Sequence, residues 1–238
     1  MGRNRTGAFI ITAMAMAVFL AGCQASPGEP QEVDSPPPVV SVSPGDPDTT
    51  APSGGRASPT AAPATSPAAL PAAEQAQLDQ DLIKAAKVNN APLVAQLINN
   101  GGDVNAKDSI QDSAFLYAGA EGFNEVLQLT LAAGADVAAT NRYGGTALIP
   151  ASEHGHVETV RMLIGAGVPV NHVNNLGWTA MQEAVLLNNG GLRQQEVVRL
   201  LLEAGADPAI RDPEGRTALQ NAERLGFKEL AALIRGAA

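Results

Sequence analysis

From residue 74 onward, apolar residues recur with helical spacing in short stripes, separated by Asn, Gly, Asp and Pro. Asn89, Asn90 and Pro92 lie between the first two stripes and interrupt a helix. Because apolar positions at i, i+3 and i+4 share one face of a helix, the pattern predicts pairs of short amphipathic helices joined by turns. The first two stripes are Leu78, Leu82, Ala85, Ala86 and Leu93, Val94, Leu97, Ile98.

The helix pairs belong to a unit that repeats along the chain. Residues 141–173, NRYGGTALIPASEHGHVETVRMLIGAGVPVNHV, form one such unit of thirty-three residues. A step of thirty-three residues from Thr146 leads back to Ser113 and forward to Thr179, and a further thirty-eight lead to Thr217. A fixed period of this length is typical of a solenoid, in which each unit buries its apolar face against the next. The predicted units are approximately 74–107, 108–140, 141–173, 174–211 and 212–238.

Three short motifs accompany this period: T-A-L at 146–148, G-H at 155–156 and G-A-D at 134–136. Together with the spacing, they resemble the ankyrin repeat. The resemblance implies an all-α solenoid of about five helix-turn-helix units, in which the first and fifth units act as caps. It also implies a scaffold that binds another protein.

Individual residues predict where the helices begin and end. Thr146 can cap the first helix of its unit through its hydroxyl, and Gly155 and Gly167 suit left-handed positions at helix ends. Pro150 is tolerated because it lies in or near the first turn of a helix. In the second unit, with helices expected near 113–121 and 124–133, Gln111 replaces the usual turn glycine.

The fourth unit has thirty-eight residues because LLNNGGLRQQ replaces a short turn between its two helices. We expect the five extra residues to lengthen the first helix or its loop without shifting the register of the stack. The insertion, residues 187–195, is either a functional loop or a tolerated surface elongation.

The N-terminus differs in composition from the repeats. Arg3 and Arg5 precede an apolar run at 8–20, which is too short to span a bilayer and suits a secretory signal. The following L-A-G-C resembles the bacterial lipobox, and that resemblance implies a signal peptide at 1–22 and a lipidated Cys23. An ordinary cleaved signal with an incidental cysteine is the alternative.

The segment from 23 to 73 is expected to be a disordered tether. Residues 24–74 hold twelve of the seventeen prolines and no aromatic residue, so they cannot bury enough apolar surface to fold. The chain after the signal has thirteen Lys and Arg against twenty-four Asp and Glu, which disfavours nucleic acid as a partner. The expected location is the outer face of a cell membrane, extracellular in a monoderm and periplasmic in a diderm.

The sequence offers no catalytic constellation. His154 and His156 are two residues apart, which is not the i, i+4 pair of a helical zinc site, and no serine lies in an elbow motif. Phosphate-binding and calcium-binding loops are missing from the sequence as well. We therefore expect no enzyme activity, metal, cofactor or small-molecule substrate. In the ankyrin pattern His156 is structural, bonding across the turn between the two helices.

In ankyrin repeats the turn tips and the exposed side of the first helices form a concave binding face. Arg142, Tyr143 and Trp178 are residue types enriched in interface hot spots, although Tyr143 and Trp178 could instead pack on neighbouring turns. Tyr117, inside a first helix, is expected in the core. The main predicted contacts are Ile110, Arg142, Tyr143, Glu153, His154, Asn175, Leu176 and Trp178. Further candidates on the same face are Ser109, Asp112, Leu186, Leu187, Glu214, Arg216 and Arg224.

The resulting functional hypothesis is a monomeric, membrane-anchored scaffold that binds an unidentified protein in the cell envelope. An immunity or stress-protective factor that blocks an envelope enzyme or toxin is the alternative. A third hypothesis, an unrecognised hydrolase, would have to use His154 or His172.

Overall fold

The structure, a computed structural model, describes residues 70–237 as ten helices arranged in five consecutive pairs. We number the pairs as units 1 to 5. The all-α prediction is confirmed, since the only β feature in the described part is an isolated bridge between Arg211 and Thr217. The helices are α1 (Ala72–Lys87), α2 (Ala91–Asn99), α3 (Ala114–Glu121), α4 (Asn124–Ala132), α5 (Leu148–Glu153), α6 (Val157–Gly165), α7 (Ala180–Leu186), α8 (Leu192–Glu203), α9 (Ala218–Leu225) and α10 (Lys228–Gly236).

The helices form two layers. The first helix of each unit packs against the first helix of the next, and the second helices do the same. Small residues allow this close approach, and a methyl group on Gly119 would lie 2.8 Å from the Ala147 side chain. Fully buried alanines recur at one position of the first helices, Ala118, Ala151, Ala184 and Ala222. The thirty-three-residue period therefore places equivalent residues at equivalent contacts.

In unit 1, one apolar position of the second helix is more exposed than in the units that follow. Leu93, predicted in the apolar stripe of the second helix, is 38% exposed. The residues at the same position of units 2 to 4, Val126, Thr159 and Val197, are buried. Among the described residues, no unit precedes unit 1, so Leu93 lacks the neighbour that covers its counterparts.

Helix starts follow the sequence prediction with one exception. The hydroxyls of Ser113, Thr179 and Thr217 accept hydrogen bonds from the backbone N–H three residues later. Thr146 makes no such cap, and its buried Oγ1 has no partner in the described part of the chain. Pro150 explains this failure. Proline has no N–H to donate to the Thr146 carbonyl, so this carbonyl accepts from the N–H of Ile149 instead. That N–H is the donor that the Thr146 hydroxyl would need in order to cap the helix.

Gly155 and Gly167 have the expected left-handed backbone, with φ of 68° and 85°. Gln111, where the turn of unit 2 lacks its glycine, has φ of 66°. A left-handed conformation costs about 1–2 kcal/mol for a residue with a Cβ atom. The turn therefore keeps its shape at the expense of strain at Gln111.

Replacing Gln111 with glycine should relieve that strain. Gln111→Gly is expected to raise the free energy of unfolding by about 1 kcal/mol, because glycine adopts this φ without a steric penalty. Urea unfolding followed by circular dichroism measures the change. Gln77→Gly, in the interior of α1, is the control and should be destabilising. Equal loss of stability in both variants would contradict the strain at Gln111.

The insertion in unit 4 is held by both neighbouring units. The extra residues do not extend α7; they form the loop 187–191 and the first turn of the twelve-residue helix α8. Of the two predicted alternatives, a longer first helix or a longer loop, the structure therefore shows the longer loop, together with a longer second helix. Asn188 donates a 2.7 Å hydrogen bond to the Glu153 carbonyl of unit 3, and a methyl group on Gly190 would lie 2.7 Å from the Phe227 ring of unit 5.

The predicted signal peptide at 1–22, Cys23 and nearly all of the predicted tether lie outside the described residues. In the part that the structure describes, none of the helices has the length and apolar character needed to cross a membrane.

Candidate functional site

A cavity of about 320 Å³ lies between the turn tips and first helices of units 2 to 4. We call it the groove. Its buried members include Ile149 and Glu183, while Tyr143 and Leu176 are exposed at its edge. The groove is lined by Asp112, Leu116, Tyr117, Ala120, Glu121, Asn141, Arg142, Tyr143, Gly145, Ile149, Pro150, Glu153, His154, Asn174, Leu176, Trp178, Glu183 and Leu187.

Two asparagine side chains shape the turns that border the groove. Asn141 Oδ1 accepts hydrogen bonds from the backbone N–H groups of Tyr143 and Gly145. Asn174 Oδ1 accepts in the same way from Leu176 and Trp178, at 3.0 Å each. These side-chain bonds add to the backbone hydrogen bonds of each turn and fix its geometry. The turns therefore present Tyr143, Leu176 and Trp178 at defined positions.

Asn174 also holds a buried carboxyl group in the groove. Its Nδ2 donates a 2.7 Å hydrogen bond to Oε1 of Glu183, nine residues later on α7. Unit 5 has the same link with the groups exchanged, since Asn221 Nδ2 donates to Asp212 Oδ2 at 2.7 Å. The matching helix positions are Tyr117 in unit 2 and Pro150 in unit 3. Among these equivalent helix positions of units 2 to 5, only that of unit 4 therefore carries a carboxyl group, Glu183.

The surroundings of Glu183 favour its neutral form. Burial first, and the nearby Glu153 carboxylate second, raise the pKa of Glu183 from 4.5 to about 7. The hydrogen bond from Asn174 and the proximity of His154 act in the opposite direction. Close to neutral pH, Glu183 therefore exists in both protonation states.

The cations next to the groove already have acidic partners. Asp112 forms ion pairs with Lys87 Nζ at 3.1 Å and Arg142 Nη1 at 3.3 Å, and Lys87 also contacts Asp108 at 2.6 Å. The glutamates that line the groove, in contrast, have no such partners in the described part of the chain. Within residues 70–237, the carboxylates of Glu121, Glu153 and Glu183 form no ion pair. The groove therefore has an excess of negative charge.

Aromatic rings line the same space. Tyr143 is 52% exposed, and the Arg142 guanidinium carbon lies 4.8 Å from its ring centre. Trp178 is half-buried, and its Nε1 donor has no acceptor among the described residues. Tyr117 corrects a prediction, because its half-buried ring lines the groove and does not lie in the core. Lys87, on the neighbouring helix α1, has its Nζ atom 5.3 Å from the Tyr117 ring centre.

The histidines contact the backbone and neighbouring rings. His154 Nδ1 donates to the Ala120 carbonyl of unit 2 at 2.9 Å, and His172 Nε2 donates to the Gly144 carbonyl of its own unit at 2.6 Å. His156 supports the stack by packing, since a methyl group on Gly122 would lie 2.9 Å from its ring. The expected hydrogen bond of its ring across the turn is wrong for the described part of the chain.

Burial lowers the pKa of His156, and the charge of His154 adds to that effect. The two rings meet edge to face, with centres 5.5 Å apart. Within residues 70–237, no three side chains of the types that bind metals come close enough to hold an ion.

The structure brings most of the predicted contact residues together. Ile110 and Asn175 lie outside the groove. The other six of the eight main predicted contacts line it: Arg142, Tyr143, Glu153, His154, Leu176 and Trp178. Of the further candidates, Asp112 and Leu187 line the groove. Ser109, Leu186, Glu214, Arg216 and Arg224 do not. Arg216 instead pairs with Glu214 at 3.3 Å.

Glu183 was missed at the sequence level. A signal was available, because the nine-residue spacing of Asn174 and Glu183 recurs in Asp212 and Asn221. In both pairs, a turn residue and a helix residue have complementary hydrogen-bonding groups.

Comparison with known proteins gives consistent matches. The family model described as ankyrin repeats (3 copies) matches residues 82–174 and 115–212. The ankyrin repeat protein YahD of Escherichia coli K12 is 50% identical over 52 residues, which cover 22% of this chain. The match spans only 26% of YahD, about a quarter of its length.

Two solved structures are similar over a larger part of the chain. An ankyrin repeat domain from Acinetobacter baumannii AYE is 57% identical, with a TM-score of 0.65 over 66% of this chain and 80% of that one. The ankyrin repeat protein EF0377 is 41% identical, with a TM-score of 0.63 over 65% of this chain and 78% of its own.

Proposed function

Since the chain belongs to the ankyrin-repeat family, we propose that it is a membrane-anchored scaffold in the cell envelope that binds a protein partner through the groove. Binding of other proteins is the role that ankyrin repeats indicate. The groove, the lipid anchor and the location in the envelope are the parts of the proposal that experiments must establish.

The observation that carries the proposal is the exposed apolar surface around the groove. Tyr143, Leu176 and Leu187 are large apolar side chains that remain about half exposed, and all three border the same cavity. A contiguous apolar patch with a polar rim is typical of a protein interaction site. Trp178 lines the same cavity and adds a further aromatic ring to this surface.

The anchor rests on the N-terminal sequence. The apolar run at 8–20 and the L-A-G-C that ends at Cys23 support secretion and lipidation, and Cys23 is the only cysteine in the chain. Several acyl chains on one residue give a stable attachment, whereas a single chain would be marginal. Some fifty residues of Pro-rich sequence separate Cys23 from α1, which lets the repeats act away from the bilayer.

Loss of a groove aromatic side chain should strongly weaken partner capture. Trp178→Ala and Tyr143→Ala are each expected to weaken binding by about thirtyfold, which corresponds to about 2 kcal/mol for a hot-spot residue. The purified chain is crosslinked to envelope extract, and the captured proteins are quantified by mass spectrometry. Ile110→Ala is the matched control, because Ile110 is also an exposed turn residue but lies outside the groove. Undiminished capture by both aromatic variants would exclude the groove as the binding surface.

The anchor is tested separately. Cys23→Ala is expected to move the protein from the membrane fraction to the soluble fraction, because alanine has no thiol to accept the lipid. Cys23→Ser is the control for polarity and should behave in the same way. Retention of both variants in the membrane fraction would contradict lipidation at Cys23, and it would leave the groove unaffected.

A further inference from the structure

We propose that the groove accepts a cationic side chain, lysine or arginine, from the protein partner, with the carboxylates of Glu183 and Glu153 as its counter-ions. This inference rests on the proposed function, since it names the chemistry of the partner at the same surface. Four observations carry it: the charge balance, the free oxygen of Glu183, the aromatic rings and the size of the cavity.

The charge balance selects the sign of the ligand. Arg142, the cationic residue of the groove lining, pairs with Asp112, and the nearby Lys87 pairs with Asp108 and Asp112. Glu121, Glu153 and Glu183 are without an ion-pair partner within the described part of the chain. An acidic or phosphorylated segment would be repelled by these carboxylates, whereas a cation would be attracted.

Glu183 has an acceptor atom available to a ligand. Its side chain is only 6% exposed, and Oε1 accepts from Asn174. No donor among residues 70–237 contacts Oε2, although the residue borders the cavity. A buried carboxylate is stable when it is paired with a cation and fully hydrogen-bonded. The cation of a partner would supply the pairing that the chain itself does not provide.

The rings suit the same ligand. Faces of Tyr and Trp attract cations at centroid distances up to about 6 Å. The chain itself provides two examples beside the groove: Arg142 against Tyr143 at 4.8 Å and Lys87 against Tyr117 at 5.3 Å. Trp178 also lines the groove, and no cation within residues 70–237 lies over its ring. A partner cation between Trp178 and Glu183 would therefore have both an aromatic face and a carboxylate.

The size of the cavity fits one long side chain. At about 320 Å³, it lies at the lower end of the roughly 300–1,000 Å³ that small-molecule sites occupy. It is also open toward the exposed turn tips of Tyr143 and Leu176. This arrangement fits a residue that projects from a protein surface.

Selection of peptides tests the inference directly. A phage library of random twelve-residue peptides is panned on the full chain, and clones are kept that lose binding to the Trp178→Ala variant. We expect lysine or arginine to be enriched at one position of these peptides. Replacing that residue by glutamine, or replacing Glu183 and Glu153 together by glutamine, should weaken binding at least tenfold. Glu183→Gln keeps the acceptor for Asn174, and the exposed Glu125→Gln is the matched control that leaves affinity unchanged.

Three other outcomes would overturn it. Peptides that depend on Trp178 but show no enrichment of basic residues would exclude a cationic ligand and leave the groove as a binding surface. Equal affinity for the native chain and the double glutamine variant would do the same. Failure to recover any peptide that depends on Trp178 would overturn both this inference and the proposed groove.

Discussion

Truncating Leu148 to alanine should lower the free energy of unfolding by about 3–5 kcal/mol. Leu148 is 0% exposed and begins α5, the central helix of the first-helix layer. α5 packs against α3 on one side and α7 on the other, so the lost side chain leaves a cavity between neighbouring units. Leucine-to-alanine changes in well-packed cores cost the transfer free energy plus that of the cavity. In a stack whose units contact only their neighbours, such a loss in the middle weakens the coupling of both ends.

The measurement is denaturant unfolding followed by far-UV circular dichroism. Leu192→Ala provides the same chemical change at a position that is 83% exposed, at the start of α8. We expect this control to change stability by less than about 0.5 kcal/mol. Similar unfolding midpoints for the two variants would show that Leu148 is not part of the core in solution.

Replacing Glu183 with glutamine should stabilise the protein at pH 8 and have little effect at pH 4. The pKa of Glu183 is raised from 4.5 to about 7 in the folded state, chiefly by burial. Between these values the folded chain binds more protons than the unfolded chain, so the native stability falls as pH rises through this window. Above it, the folded state holds a charged, buried carboxylate. Glutamine has no charge to bury, and we expect a gain of roughly 1–3 kcal/mol at pH 8.

Thermal unfolding of Glu183→Gln and the native chain at several pH values between 4 and 8 measures this difference. The expected result is a gain in the relative stability of Glu183→Gln that grows as pH rises from about 4.5 and levels off at about pH 8, where the folded-state carboxyl group is almost fully ionised. Glu125→Gln, at an exposed position on α4, is the control. A difference between Glu183→Gln and the native chain that does not vary with pH would contradict a titrating Glu183.

The two effects of Glu183 oppose each other. The carboxylate that destabilises the empty groove at pH 8 is also the group proposed to bind the partner's cation. Functional sites commonly retain such groups at a cost in stability. A partner that supplies the cation should therefore raise the melting temperature of the native chain more than that of Glu183→Gln.

The sequence predicts the helix pairs well because their period is enforced by packing. Residues that face the next unit, such as Ala118 and Ala151, must be small and apolar, and this constraint recurs every thirty-three residues. Turn glycines are equally predictable, because only glycine adopts a positive φ without strain. Gln111 shows that the backbone conformation is kept even where the glycine is replaced.

Features that depend on the combination of two or more residues were harder to predict from the sequence. The missing cap at Thr146 follows from a proline four residues later, so the T-A-L motif alone is misleading. Tyr117 lines the groove because its position faces the turns, whereas helical spacing alone suggested the core. The pKa of Glu183 could not be inferred from sequence, since it depends on burial and on the charges of Glu153 and His154, which the fold brings close from the preceding unit.

The loop 187–191 does not prevent the array from changing in length. A unit of thirty-three residues can be duplicated or deleted in a gene while its neighbours still meet through equivalent contacts. The longer unit 4 keeps one such contact, since Asn188 donates to the Glu153 carbonyl of unit 3 just as His154 donates to the Ala120 carbonyl of unit 2. Units on either side of the insertion can therefore be gained or lost while the carbonyl near the end of each first helix still finds a donor in the next unit.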